Sequence, residues 1–327
     1  MPAPRLSVVI PAYKLAGVLP RCVESVRAAG VPGVEVIVVD DDSPDDTAAV
    51  TARLGVVYLH QKNQRQSAAR NAGAAVAAGE FVAFLDNDDA WRPGVAAKLL
   101  ALLDRRPGVA VAYADASSGS PAGGFISGQR AITKTRPEFW DLPHADDGGV
   151  RVFDRPAFRA LLLKRNLVFV GSAVMRRDAF LAAGGFDSRT DGAEDWSLCL
   201  RLTEQGGFAY LDEPLATHYR HAANYSNDKE RMVAAFCAVR RRYLETAAAS
   251  LTPAESAELH AGLRAESQYH ADLAYGRGDY AEAAARYRAV RRESGWSKAV
   301  AYGLLVTALP RPVIDRLRGQ RPGEPRA

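Results

Sequence analysis

The chain has 327 residues, 48% hydrophobic and 24% charged, with 42 Lys/Arg against 38 Asp/Glu. That length suits one large domain or a domain with an appendage, and a net charge of +4 is too mild to argue for a nucleic-acid partner. Three cysteines, Cys22, Cys199 and Cys237, are far apart and odd in number; they support neither a disulfide framework nor a Cys-rich zinc site and fit a reducing, cytoplasmic setting.

The first apolar run, 6–10, is too short for a signal peptide and reads as a strand. Further β-branched apolar runs follow at 34–39, 56–59, 81–85 and 109–113. Between them Leu15, Leu19, Cys22, Val23 and Val26 keep helical spacing, 45–54 opens with acidic residues, 66–78 is rich in Ala, and 93–106 has Pro at a first turn. Strand alternating with helix predicts an α/β fold whose strands lie parallel with right-handed crossovers. Ligands of such sheets bind beyond the carboxyl ends of the strands.

Residues 116–165 lose this rhythm. "SSGSPAGG" (117–124) and "HADDGG" (144–149) are turn-rich, so a mobile loop region is expected there. Order resumes over 168–175, and 195–205 reads as a helix. Residues 228–292 form a long helical stretch, within which 273–290 resembles a single helical-hairpin repeat. A short apolar segment, 299–309, precedes a basic end: from Arg286 onward there are ten Lys/Arg against three Asp/Glu. No run is long enough to span a membrane. The basic end reads as a solvated face or as a peripheral attachment to an anionic membrane surface.

Three acidic clusters fall at informative places. Asp40, Asp41 and Asp42 follow the second strand; Asp86, Asp88 and Asp89 follow the fourth, with Asn87 among them. Helix capping accounts for one such cluster, and Asp89 suits the turn before the helix near Pro93. Two at one sheet edge call for a counter-charge, and a hard divalent cation completed by substrate phosphates supplies one. Neither an EF-hand spacing, nor a P-loop, nor a GxGxxG fingerprint is present. The third cluster, Glu194 and Asp195, opens an amphipathic helix, where a carboxylate serves as favourable N-terminal charge or as a general base. Trp91 and Trp196 read as packing residues, and His218 as a surface histidine.

Five segments together resemble the family 2 glycosyltransferases, an inverting group with the GT-A fold: "SVVIPAYK" (7–14), "EVIVVDDDSPDDT" (35–47), "NQRQSAARNAGAAVAAGEFVAFLDNDD" (63–89), "VFVGSAVMRRDAFLAAGGFDSRTDGAEDWSLCLRL" (168–202) and "HYRHAANYS" (218–226). They occur in family order across roughly residues 5 to 230. The resemblance implies a GT-A domain over 1–230, with a nucleotide-binding half (1–115) and an acceptor half (116–230), followed by a helical C-terminal extension (231–327). It implies a metal-dependent transfer from a nucleotide-diphosphate sugar, a UDP-sugar first of all, to a hydroxyl of a saccharide or lipid-linked acceptor, as in cell-surface polysaccharide or glycoconjugate synthesis.

Residue by residue, the resemblance puts Pro11, Ala12 and Tyr13 against the nucleotide, with Tyr13 on the base. Asp41 accepts from the base with Arg70 nearby, and Asp86 and Asn87 address the ribose and diphosphate. Asp88 ligates Mn2+ or Mg2+, with His221 a second metal or phosphate contact, and Asp195 is the catalytic base. Two positions depart from the pattern: Lys14 stands where Asn is common and Asp42 where Gly is common. The competing readings are a haloacid-dehalogenase-like Mg2+-dependent phosphohydrolase, which shares an Asp-x-Asp strand end, and an inactive helical interaction protein.

Overall fold

The computed structural model describes residues 3–14, 16–119, 125–130, 137–219 and 227–318. The chain divides into two compact units, Met1–Asn224 and Tyr225–Ala327.

The first unit begins as the apolar runs predict. Strands β1 (Leu6–Ala12), β2 (Glu35–Asp40), β3 (Val57–His60) and β4 (Phe81–Phe84) alternate with helices α1 (Leu19–Arg27), α2 (Thr47–Leu54) and α3 (Arg65–Val76). A two-residue strand β5 (Ala90–Trp91), helix α4 (Val95–Arg105) and strand β6 (Val109–Gly119) follow. Then come β7 (Phe125–Arg130), α5 (Pro137–Trp140), the hairpin β8 (His144–Asp146) and β9 (Val150–Phe153), and α6 (Arg155–Lys164). The unit closes with β10 (Ala173–Arg176), α7 (Arg177–Ala182), α8 (Glu194–Leu202) and β11 (Gly207–Tyr219).

These strands form one mixed sheet in the order β3-β2-β1-β4-β10-β6-β11-β9-β8, with β5 on β11 and β7 on β6. The first four are parallel. β10 pairs antiparallel with both β4 and β6, so β6 runs in the direction of β4 with a reversed strand between them. β11 is parallel to β6. The carboxyl ends of β1, β2, β4, β6 and β11 therefore share one edge.

Burial explains the sequence pattern. Every residue of β1 is buried, as in a sheet covered on both faces, whereas β3 lies at the sheet's edge and three of its four residues are exposed. α1 turns Leu19, Cys22, Val23 and Val26 inward. α3 approaches the sheet closely at Gly73: a Cβ there would lie 2.4 Å from Val9 Cγ1 and 3.0 Å from Val39 Cγ2. Only glycine allows that spacing.

The loop expected over 116–165 needs correction. β6 continues through Ser117 and Ser118, both buried, where it pairs with β11 beside it in the sheet; Ser117 Oγ lies 3.3 Å from Thr217 Oγ1. "HADDGG" is a hairpin turn: Gly149 N donates to Asp146 Oδ1 at 3.2 Å, and Gly148 and Gly149 both take positive φ. Turn-forming residues here connect strands.

The second unit is helical among its described residues: α9 (Lys229–Thr246), α10 (Pro253–Gly276), α11 (Tyr280–Ser294), α12 (Lys298–Thr307) and α13 (Arg311–Arg318). Thr252 and Glu255 form a capping box that starts α10. Ala271, Ala274, Tyr275, Ala283, Tyr287, Val306 and Ile314 make a small core, so the hairpin-like segment 273–290 closes against α12 and α13. On the outer side Trp296 (64% exposed), Tyr302, Leu305 (66% exposed) and Val313 face solvent. No described helix is long and apolar enough to cross a membrane.

Candidate active site

The carboxyl edge of the sheet gathers the three acidic clusters. At its β1–β2 corner, Pro11 and Ala12 are buried in β1 and Tyr13 emerges 46% exposed, with Lys14 Nζ 5.0 Å from its ring centroid. Asp41 N donates to Ala12 O at 2.8 Å. The three aspartates have different duties. Asp40 is buried with both oxygens engaged, Oδ1 by Ser43 N at 2.9 Å and Oδ2 by the Tyr58 hydroxyl at 2.8 Å. Asp41 is buried as well, but Gln61 Nε2 (2.7 Å) and Gln64 N (2.8 Å) share its Oδ1. Asp42 is exposed, 3.5 Å from His60 Nε2.

The positions that depart from the family pattern have a backbone reason. Lys14 (φ 62°), Asp42 (φ 66°) and Arg65 (φ 69°) are the described non-glycine residues with positive φ. Asn and Gly tolerate this left-handed region best, so Lys14 and Asp42 keep the backbone conformation with less permissive side chains.

Arg70 is the centre of the site. It projects from α3, is 2% exposed, and divides its guanidinium between two carboxylates: Nη2 reaches Asp86 Oδ1 at 2.6 Å and Nη1 reaches Glu194 Oε1 at 2.7 Å. Burial opposes its charge, but Asp86 and Glu194 overcome that and hold it firmly protonated. Glu194 is itself fully engaged, by Gln66 Nε2 at 2.6 Å and by Gly192 N at 2.7 Å on its second oxygen. Through Arg70 on α3, 124 positions before Glu194, the turn after β4 is joined to the first turn of α8.

Asp195, the next residue of α8, is partly exposed. Its Oδ1 accepts from Trp196 N at 2.7 Å and its Oδ2 from Asn166 Nδ2 at 2.8 Å. Burial and then the Glu194 charge push its carboxyl up to about 7, against the opposing pull of the Trp196 N–H, Asn166 and Arg70. A carboxyl that titrates there is matched to proton transfer near neutral pH.

The turn after β4 carries the remaining acids. Asn87 is buried and donates to Lys14 O at 3.1 Å, tying this turn to the β1 end. Asp88 is half-buried; its carbonyl accepts from Arg21 Nη2 at 2.8 Å, and that guanidinium lies 3.9 Å from the Tyr219 ring centroid. Asp89 does not cap the next helix, which begins at Val95 behind Gly94. It is fully buried and accepts from His218 Nδ1 at 3.1 Å and Tyr219 N at 3.1 Å. His218 is half-buried, and the Asp89 carboxylate raises its pKa.

A divalent cation fits the chemistry of this turn. Asp86, Asp88 and Asp89 stand within four residues of this turn, and their charges, after burial, help push the neighbouring Cys22 thiol well above its ordinary range. No three His, Cys, Asp or Glu side chains form a ready metal cage among the described residues. One or two carboxylates completed by phosphate oxygens is the arrangement Mg2+ and Mn2+ favour with phosphorylated substrates. Asp88, beside Asp86, would supply it; His221 lies outside the described residues.

The structure therefore brings Asp41, Arg70, Asp86, Asn87, Asp88 and Asp195 to one region. Trp91 and Trp196 are buried, their indole nitrogens donating to Gly171 O at 2.8 Å and Leu162 O at 2.7 Å. Sequence reasoning missed Asn166, the specific engagement of Glu194, and the Asp89–His218 pair. Each depends on a partner distant in sequence, which no local pattern signals.

The sequence profile described as glycosyl transferase family 2 matches residues 7–181, more than half of the chain. A relative described as an uncharacterized glycosyltransferase, from Haemophilus influenzae, is 24% identical over 74% of this chain and 78% of its own. Several other relatives are matched over only 15–34% of their own length. Among solved structures, S. aureus TarS 1–349 in complex with UDP has a TM-score of 0.61 at 16% identity, covering 97% of this chain and 92% of its own. A mannosyltransferase from Pyrobaculum calidifontis in complex with GDP-Man and Mn2+ has a TM-score of 0.54 at 17% identity, covering 97% and 84%. The fold is shared with both.

Proposed function

The chain belongs to glycosyl transferase family 2, and from that premise we propose that it transfers a sugar, with inversion and with Mn2+ or Mg2+, from a nucleotide-diphosphate donor to an acceptor hydroxyl. The observation that carries this reading is the connection from Asp86 through Arg70 and Glu194 to the start of α8, where Asp195 sits with its carboxyl raised to about 7. That connection supports reading Asp86 as a donor-side carboxylate and Asp195 as the base, held on one frame.

In this mechanism Tyr13, exposed at the end of β1, covers the nucleobase, and Asp41 offers it Oδ2. Pro11 and Ala12 shape the floor beneath it. Asp86, oriented by Arg70, and Asn87 address the ribose and diphosphate. Asp88 would hold the divalent ion, with His221 as a second contact; the ion would offset charge on the departing diphosphate. The acceptor O–H breaks as its oxygen bonds to the anomeric carbon, and the proton passes to Asp195. The bond from that carbon to the diphosphate oxygen breaks and leaves its electron pair on the diphosphate. One displacement from the opposite face inverts the centre, and no group on the chain need become covalently attached.

A UDP-sugar is the first donor to test, since UDP is bound in the TarS structure; GDP-mannose is the second. The acceptor is a saccharide or lipid-linked glycan in cell-surface polysaccharide or glycoconjugate synthesis. We place the reaction on the cytoplasmic side of a membrane, where the free thiols remain reduced, with peripheral attachment through the basic C-terminal unit. Exposed Trp296, Tyr302 and Leu305 share this stretch with exposed Arg291, Lys298 and Arg311, and Arg291 lies over the Trp296 ring; together they support that attachment, since aromatic and basic side chains suit a membrane interface.

The test is a panel of nucleotide sugars incubated with the protein and Mn2+, with and without EDTA. Metal-dependent release of nucleoside diphosphate, raised by acceptor, is expected. Release of inorganic phosphate from phosphate esters instead would favour the phosphohydrolase reading and overturn this one.

A further inference from the structure

We infer that Asn166 is the positioning residue of Asp195: its side-chain amide holds Oδ2 and fixes the direction in which the base meets the acceptor hydroxyl. The inference rests on the reading of Asp195 as that base.

Four observations carry it. First, Asn166 is itself oriented. Its Oδ1 accepts from Val168 N at 3.1 Å, a bond that only the carbonyl end of the amide can accept. The NH2 group must then face Asp195 Oδ2, 2.8 Å away. Second, the contact is braced one residue further on. Trp196, 1% exposed, donates from Nε1 to Leu162 O at 2.7 Å. Successive residues of α8 are thus bonded to the end of α6 and the loop after it, which resists rotation of the helix start. Third, Trp196 N takes the other oxygen, Oδ1, at 2.7 Å, so both carboxylate oxygens are located by donors from this chain. Fourth, the neighbouring carboxylate cannot substitute. Glu194 already receives Arg70, Gln66 and Gly192 N, and its ion pair with Arg70 commits it to the donor side.

The chemistry suits an amide. A lysine at position 166 would fix the carboxylate in its charged form and weaken it as a base. An apolar residue would leave its orientation to solvent. A neutral donor orients the group and favours its ionised form modestly.

The test compares full-length Asn166→Ala and Asn166→Asp with wild type, and with Asp195→Asn as a control. Thermal unfolding and calorimetric affinity for the nucleotide sugar chosen by the donor panel establish that each variant is folded and binds donor. The Ala variant is expected to lower kcat by about 10- to 100-fold, the range for losing a hydrogen bond to a charged group. Its acid limb should move to higher pH, with donor affinity unchanged. Asn166→Asp keeps the acceptor for Val168 N–H and should move that limb further up, because a second carboxylate faces the first. If the folded variants lose no more than twofold in kcat and keep the wild-type pH profile while Asp195→Asn is inactive, the positioning role is overturned and the base assignment stands. If Asp195→Asn turns over at the wild-type rate, the base assignment fails first and this inference falls with it.

Discussion

Arg70 Nη2 lies 2.6 Å from Asp86 Oδ1, and the other terminal nitrogen of the same buried guanidinium is committed to Glu194. A planar fork can serve two carboxylates at once; an ammonium cannot do so with the same geometry. Removing the arginine leaves Glu194 buried without its counter-charge. Arg70→Met is therefore expected to destabilise the protein by about 3–5 kcal/mol, and Arg70→Lys should recover less than half of that. Chemical denaturation followed by tryptophan fluorescence measures both. A loss under 1 kcal/mol for Arg70→Met would mean that the bridge is incidental.

Asp195 sets the expected pH dependence. A carboxyl raised to about 7 is protonated below that pH and cannot accept the acceptor's proton. The rate constant kcat/KM should then fall tenfold per pH unit on the acid side and level off above about 7. Asp195→Asn should cost about 10²- to 10⁴-fold in turnover while donor binding survives. A flat profile down through pH 5 would contradict the assignment.

Asp88 gives a metal prediction. EDTA should abolish nucleoside diphosphate release, and Mn2+ should restore it. Asp88→Asn should raise the Mn2+ concentration needed for half-maximal rate by about 10- to 100-fold, at least the loss typical when a supporting partner of a metal ligand is removed. An unchanged Mn2+ titration would reassign that carboxylate.

Membrane attachment is checked with vesicles. The full-length protein should co-sediment with phosphatidylglycerol-containing vesicles and not with pure phosphatidylcholine, and the bound fraction should fall as salt rises. The pair Trp296→Ala and Leu305→Asp should release it without altering transfer to a soluble acceptor. Equal binding to both lipids, or none, would remove the attachment from the proposal.

Much of the first 115 residues was legible because the information there is local. The run at 81–85 is apolar because β4 is buried, and "DNDD" follows where that strand ends at the carboxyl edge of the sheet. Tertiary pairing decided what was not legible. β10 is only Ala173–Arg176, and nothing in "AVMR" says that it reverses between β4 and β6. Asp89 resembles a turn aspartate until His218, 129 residues later, is brought beside it. Asn166 is one polar residue after a helix; its meaning depends on a partner 29 positions away.

Lys14, Asp42 and Arg65 all hold left-handed backbone at or just beyond the carboxyl edge of the sheet. Each forgoes about 1–2 kcal/mol relative to a glycine at the same φ. The strained residues cluster where a ligand is expected and not in the core, so this edge holds a reserve of stability separate from hydrophobic packing. Asp42→Gly draws on it most safely: the side chain is exposed and its contact is the weak one with His60. The substitution should raise the melting temperature while sparing the carboxylates proposed for the transfer step, which makes this rim the natural starting place for engineering a hardier transferase.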